Sequence, residues 1–436
     1  MRRWTTTIFA ALALTACQPE DPFAVEQPTD CSDPTVLNQW VLDVMQEYYL
    51  WTDTMPTDVG PEDFDTPESF VVALRSEPDR WTRVTDKVLS NALFMDGKFI
   101  GLGYKSVRTQ DDSIRLSFVS DDSPASAQGL VRGDKIIAVQ GYTIAELDEG
   151  DLWGDVYGPN DPGVAVELTV ERLASGQVDT FTITKEWIDI VSLPVVEILT
   201  APGGEQIGYF VMDKFVETTK AELDAAFATF KEAGIDKLII DYRYNGGGLI
   251  SVAERVVDLA VGGSAAGEVA YSFEYNANLA SENYSAKIAK LDQSIAATEI
   301  VVLVSSKSLS ATELVINALF PHTKVTLVGS DTGGKPVGSK GFEFCEKKLF
   351  PITFRLVNAA GNSDYFDGLP ADCFAEDDVL HDFGDPNEAM IAAGLEYLGT
   401  GACAMPLPGA PLEIDRDAVG EHVLPNAEQR ADIDSW

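Results

Sequence analysis

The 436-residue chain carries 70 acidic against 31 basic residues, a formal net charge of −39, and 45% of its residues are hydrophobic. That length and apolar content suffice for two or three domains with buried cores. The negative balance argues against nucleic acid, and against an anionic lipid surface held by charge.

In chain order, residues 1–16 read as a targeting segment. Arg2 and Arg3 form a basic start, and Thr7 to Leu14 an apolar stretch too short to cross a membrane as a helix. Leu14-Thr15-Ala16-Cys17 resembles a bacterial lipobox. The resemblance implies cleavage before Cys17, lipidation of that residue, and an exported protein of the cell envelope, anchored in a bacterial membrane and facing the periplasm. Residues 17–32, rich in Pro, Glu and Asp, read as a flexible tether. With Cys17 set aside, Cys31, Cys345, Cys373 and Cys403 remain, and an even number in an exported chain points to disulfides. Three connectivities are possible. The preferred one pairs Cys345 with Cys373, at the two ends of a strand-turn-strand excursion, and Cys31 with Cys403, joining the termini. No CxxC is present and the histidines are His322, His381 and His422, so no metal site and no cofactor are expected.

Residues 33–98 have helical texture. Leu37, Trp40, Val41, Val44, Met45 and Leu50 recur at near-helical spacing beside Tyr48, Tyr49 and Trp51, which predicts a small helical cap with its aromatics in a core. Residues 99–186 change texture, with Gly101-Leu102-Gly103-Tyr104, alternating stretches such as Ile114 to Phe118, and Gly133-Asp134-Lys135-Ile136-Ile137-Ala138-Val139. This segment is similar to a PDZ domain of the circularly arranged kind found in bacterial proteases. The resemblance implies binding of a protein or peptide C-terminus as an added strand, with Leu102, Gly103 and Tyr104 forming the carboxylate loop.

Residues 187–402 alternate strand and helix patterns. Strands are predicted at Gln206 to Met212, Lys237 to Tyr242, Ile300 to Val304 and Lys324 to Gly329, and helices at Thr218 to Ala233, Ser251 to Val261, Leu314 to Phe320 and Asn387 to Leu398. The alternation predicts a mostly parallel α/β sheet. Gly262 to Thr298 reads as a lid or a surface excursion, and Phe342 to Cys373 as a hairpin-like one. Residues 403–436 read as a loosely ordered acidic tail.

The chemistry concentrates where strand hands over to helix. Ser310 opens Ser310-Ala311-Thr312-Glu313, and Lys335 ends the next strand's glycine-rich turn, so a parallel sheet brings both to its carboxyl edge. A serine hydroxyl needs an adjacent base, and a lysine serves only if burial keeps it neutral. Locally, Ser310 reads equally as a helix N-cap and Lys335 as a surface lysine. The pair, together with Asp241-Tyr242-Arg243-Tyr244-Asn245-Gly246-Gly247-Gly248, resembles the C-terminal processing (tail-specific) protease family, over roughly Trp40 to Leu398.

That resemblance implies an α/β multidomain protein with a ClpP/crotonase-like protease core and serine endopeptidase activity. Ser310 would be the nucleophile, Lys335 the base and Glu313 its positioning residue. The N–H groups of Gly247 and Ala311 would form the oxyanion hole, although sequence alone does not separate Gly246, Gly247 and Gly248. The chain departs from the family pattern at Tyr242, where a small aliphatic residue is usual. A rival reading keeps the architecture but makes the chain a catalytically silent lipoprotein that captures peptide C-termini. An ester-directed hydrolase is disfavoured, because Ser310 lacks a G-x-S-x-G setting.

Overall fold

The computed structural model describes residues 22–403. The leader 1–16, Cys17 and the tail beyond Cys403 lie outside the described residues.

The centre is a six-stranded sheet of β1 (Val195–Thr200), β2 (Gln206–Val211), β3 (Lys237–Asp241), β4 (Glu299–Val304), β5 (Lys324–Gly329) and β6 (Cys373–Phe374), in that spatial order. β1 is antiparallel to β2, and the remaining pairs are parallel. Both faces are covered, which is why β3 and β4 read as continuous apolar runs rather than alternating ones. Alternate residues nevertheless go to different cores. Leu238, Ile240, Ile300 and Val302 pack with helices α1 (Thr219–Glu232), α2 (Ile250–Ala265) and α3 (Ala311–Leu319). Ile239, Val301 and Leu303 pack with α4 (Ala389–Thr400).

The Gly262 to Thr298 insertion is part of the body, neither lid nor loose excursion. Val269–Tyr275 and Tyr284–Lys287 form an antiparallel sheet with Ile352–Asn358 and Val337–Ser339. The hairpin of Phe342–Phe344 and Lys347–Phe350 reaches the other way. It pairs with Arg83–Asp86 of the N-terminal region. The N-terminal helices Pro34–Tyr48 and Pro67–Ala73 therefore do not close a core alone. Their apolar cluster is completed by Phe342, Phe344, Leu349 and Ile352.

The expected tether is only partly outside the described residues, and what is described is docked. Phe23 lies 5.8 Å from the Tyr48 ring and 5.6 Å from Tyr275, and Glu26 O accepts a 2.6 Å hydrogen bond from Trp40 Nε1. An aromatic residue inside a polar stretch is enough to seat it on an apolar surface.

The disulfide pairing also differs from expectation: Cys31 bonds Cys345, and Cys373 bonds Cys403. Cys345 sits at the hairpin turn, where the N-terminal region packs, so Cys31 is its neighbour. Cys373 opens the edge strand β6, beside the chain as it leaves α4.

Between these parts lies a β-rich unit. Strands Tyr104–Arg108, Ile114–Val119, Lys135–Val139, Ala165–Glu171 and Val178–Thr184 form an antiparallel sheet over its own core of Leu102, Ile114, Leu116, Ile136 and Val166. Lys98–Gly101 pairs with Glu186–Asp189 where the chain enters and leaves the unit.

Candidate active site

β4 ends in the Ser305 to Leu309 loop, which is sewn to the turn after β3. Ser308 Oγ donates to Tyr242 O at 2.9 Å, Leu309 N to Asn245 O at 3.2 Å, and Thr312 Oγ1 to the same carbonyl at 2.9 Å. Ser310 follows with φ +59° and ψ −114°. A side chain in that region costs about 1–3 kcal/mol, sustained only where the surroundings over-determine it. α3 starts at Ala311, so its first N–H groups have no intrahelical acceptor and favour negative charge.

Glu313 organises the site. It is fully buried, and its carboxylate accepts from Ser310 N (3.0 Å), Lys335 N (2.7 Å), Gly334 N (2.8 Å) and Thr332 Oγ1 (2.5 Å). The Ser310 and Lys335 N–H groups end on the same oxygen, Oε2. One carboxylate thus locks the serine loop to the lysine loop. It grips Lys335 through the backbone N–H. Burial raises the Glu313 pKa, and the four donors oppose that shift.

Lys335 is 4% exposed. Burial, with a contribution from the Arg83 cation, pushes its pKa from 10.5 down to about 7, against the opposing pull of Asp79 and Glu313. The Lys335 ammonium nitrogen lies 5.8 Å from the Trp81 ring centre. This wall comes from the N-terminal region. Arg80 Nη2 donates to Gly334 O at 3.5 Å and to Phe366 O at 3.1 Å. Asp79 is itself held by Tyr49 Oη (2.7 Å) and by the N–H groups of Trp81 (2.8 Å) and Thr82 (3.0 Å). No local motif in the sequence marks Asp79, Trp81 or Arg83. Their place beside Lys335 depends on the pairing of Arg83 with Phe350.

The glycine turn departs from expectation. The Gly247 N–H does not face outward but donates to Asn245 Oδ1 at 2.8 Å, while Asn245 Nδ2 donates to Met212 O at 2.8 Å. The turn demands glycine all the same: at Gly248, with φ +145°, a Cβ would lie 2.3 Å from Phe215 O. Beneath it Arg243, 1% exposed, is clamped by Asp241 (2.8 Å) and Glu388 (2.7 Å) and reaches Asp377 (3.2 Å). Tyr242 is fully buried against Phe215, and its hydroxyl has no hydrogen-bond partner among the described residues.

Leu102, Gly103 and Tyr104 lie together on a cavity of about 250 Å³ between the β-rich unit and the Tyr244 end of the glycine turn. Gly103 has φ +87°, and a Cβ there would meet Ser123 Cβ at 2.1 Å. Lys105 binds Asp213 and reaches Tyr244 O at 3.4 Å, tying this unit to the turn. Among the described residues no cluster of His, Cys, Asp and Glu could hold a metal ion. Among them, too, no helix is long and apolar enough to cross a membrane.

Residues 206–368 match the model of Peptidase family S41, and residues 37–83 that of the Peptidase S41 N-terminal domain. The chain is 26% identical to a carboxyl-terminal-processing protease of Picosynechococcus sp., over 65% of this chain and 66% of the relative. It is 27% identical to the carboxy-terminal processing protease CtpA of Bacillus subtilis, over 59% of this chain and 52% of the relative. The matched region thus spans about half to two thirds of these relatives' length. A crystal structure assigned to the S41 proteases, from Bacteroides fragilis, superposes with TM-score 0.67 at 22% identity, covering 83% of this chain and 97% of that one. That likeness shows a shared fold.

Proposed function

We propose that this chain, a member of peptidase family S41 by its two matching domains, is an exported serine endopeptidase that cuts proteins selected through their C-termini. Ser310 Oγ attacks the peptide carbonyl. Neutral Lys335 takes the hydroxyl proton and delivers it to the departing amine, and then activates the water that releases the acyl group. The Ala311 N–H, at the start of α3, stabilises the oxyanion. The Gly247 N–H joins it once substrate draws that amide away from Asn245. The Leu102–Tyr104 loop holds the substrate's terminal carboxylate.

The observation that carries this reading is the shared Glu313 oxygen. It fixes the strained Ser310 beside a buried lysine whose pKa is about 7. A base with that pKa is half neutral near pH 7. For the envelope lipoprotein assignment, two disulfides suit an oxidising compartment. Intact mass of the mature protein tests it: a lipid adduct on Cys17 is expected, and its absence rejects the anchor.

The decisive experiment uses a soluble form starting at Gln18 and an unstructured protein with an apolar C-terminus. Wild type should cut, while Ser310→Ala and Lys335→Ala stay folded and silent. If all three are silent yet bind the substrate, the peptide-capture reading replaces this one. The Gly247 N–H held by Asn245 is the observation that favours that alternative. If Lys335→Ala cuts like wild type, the base is another residue.

A further inference from the structure

The cavity beside Leu102, Gly103 and Tyr104 has a charge opposite to that of the chain. Its charged lining consists of Lys98, Lys105, Lys185, Lys214 and Lys307 against one carboxylate, Asp213. In a chain with 70 acidic and 31 basic residues, six charged side chains of average composition would include about four acids. The same walls carry Phe99, Phe118 and Trp187, so the cations stand among low-dielectric surfaces that focus their field.

The lysines differ in how far their charge is cancelled. Lys105 is paired with Asp213 and Lys98 with Asp189, the latter at 3.1 Å on an exposed strand. Lys185 is 3% exposed, and its three hydrogen-bond acceptors are neutral: Gly158 O (3.1 Å), Pro159 O (2.8 Å) and Asn160 Oδ1 (3.1 Å). Burial lowers its pKa and the nearby Asp161 opposes that shift. Lys214 and Lys307 line the same cavity as Tyr244. A peptide lying from the Leu102–Tyr104 loop toward Tyr244 therefore meets positive charge along its path. A strand presents alternate side chains to the same wall. A carboxylate one or more alternate positions before the terminal residue can thus reach this lining while the apolar terminus sits among the aromatics.

We propose that this cavity selects substrates carrying aspartate or glutamate within a few residues of an apolar C-terminus. The proposal deepens, and rests on, the reading of the cavity as a C-terminus binding site. Its selectivity runs against the chain's overall negative charge.

The test is binding of fluorescent ten-residue peptides to the soluble full chain carrying Ser310→Ala, which prevents cleavage. One peptide has two aspartates before an apolar terminus, a second has asparagines in their place, and a third is the aspartate peptide with an amidated end. The aspartate peptide is expected to bind at least tenfold more tightly than the asparagine one. Salt at 0.5 M should erase most of the difference, because screening acts within a few ångströms at such ionic strength. Lys307→Gln and Lys98→Gln should each narrow it, with circular dichroism confirming that each variant is folded. Equal affinity for aspartate and asparagine peptides, with the amidated one failing to bind, overturns the acidic preference and leaves C-terminus recognition standing. If none of the peptides binds, the C-terminus reading falls and the preference with it.

Discussion

Replacing Lys335 by methionine should stabilise the protein, and the gain should depend on pH. In the folded chain the lysine pKa is about 7, against an ordinary 10.5. Between those values the unfolded chain holds a proton that the folded chain has lost, so stability rises with pH across that window. Below about pH 7 the folded state bears the whole cost. At 1.36 kcal/mol per unit, the shift corresponds to about 5 kcal/mol. Methionine has no proton to lose and nearly the same volume, so it escapes that cost. Lys335→Met is therefore expected to be more stable than wild type by up to about 5 kcal/mol at pH 6, about 3 at pH 8 and less than about 1 at pH 10. The assay is urea unfolding of the soluble chain, disulfides intact, at those three pH values. It follows the fluorescence transition that includes Trp81, and the same variant should be inactive at all three. A variant no more stable than wild type, or a gain that is constant with pH, would refute the claim that burial holds this amine neutral.

Three further outcomes are expected. Glu313→Gln replaces one acceptor oxygen with a donor amide, leaving at least one of the four N–H or O–H groups unpaired in a buried site. It should cost about 3 kcal/mol in unfolding experiments and lower kcat more than it changes KM. Arg243→Met strands the buried carboxylates of Asp241 and Glu388 and should cost about 3–5 kcal/mol at pH 8. Thermal unfolding of the variant beside wild type reads the loss. Tyr242→Phe removes a buried hydroxyl that has no partner among the described residues and should raise stability by about 1 kcal/mol, measured by urea unfolding at pH 7.

What was legible in the sequence is what repeats locally. The β-branched run of β4 and the apolar stripe of α1 mark their own burial, because one buried face imposes a period. The nearness of Ser310 and Lys335 follows from their places after the neighbouring strands β4 and β5, whose ends a parallel sheet aligns at one edge. What was not legible depends on which distant segments meet. The preferred disulfides assumed that the two ends of the 342–373 excursion lie together. Cys345 instead sits on a hairpin turned toward Cys31, and Cys373 on an edge strand beside Cys403. The family resemblance assigns the Gly247 amide to the oxyanion. Asn245, two residues earlier, claims that N–H, and no pattern distinguishes a permissive turn from one already satisfied.

The N-terminal region walls Lys335, the proposed base, and the reason lies in what it does to that amine. Two effects of Trp81 on Lys335 oppose each other. The ring face 5.8 Å from the Lys335 nitrogen attracts the ammonium, which is worth about 0.5–2 kcal/mol and favours the charged form. The same side chain, 7% exposed, keeps water off the amine, and desolvation is the largest cause of a pKa displacement worth about 5 kcal/mol. Exclusion of water wins where Trp81 supplies more than about 2 kcal/mol of that displacement, the upper bound of the attraction. Trp81→Ala, by admitting water, should therefore raise the lysine pKa despite removing an attraction for its charged form. The acid limb of kcat/KM, expected near pH 7 in wild type, should move upward by at least about one unit. Trp81→Phe should hold it near the wild-type position, because a ring still covers the amine. A Trp81→Ala profile with an unmoved acid limb would mean that the core alone desolvates Lys335. The N-terminal region would then brace the site without tuning its base.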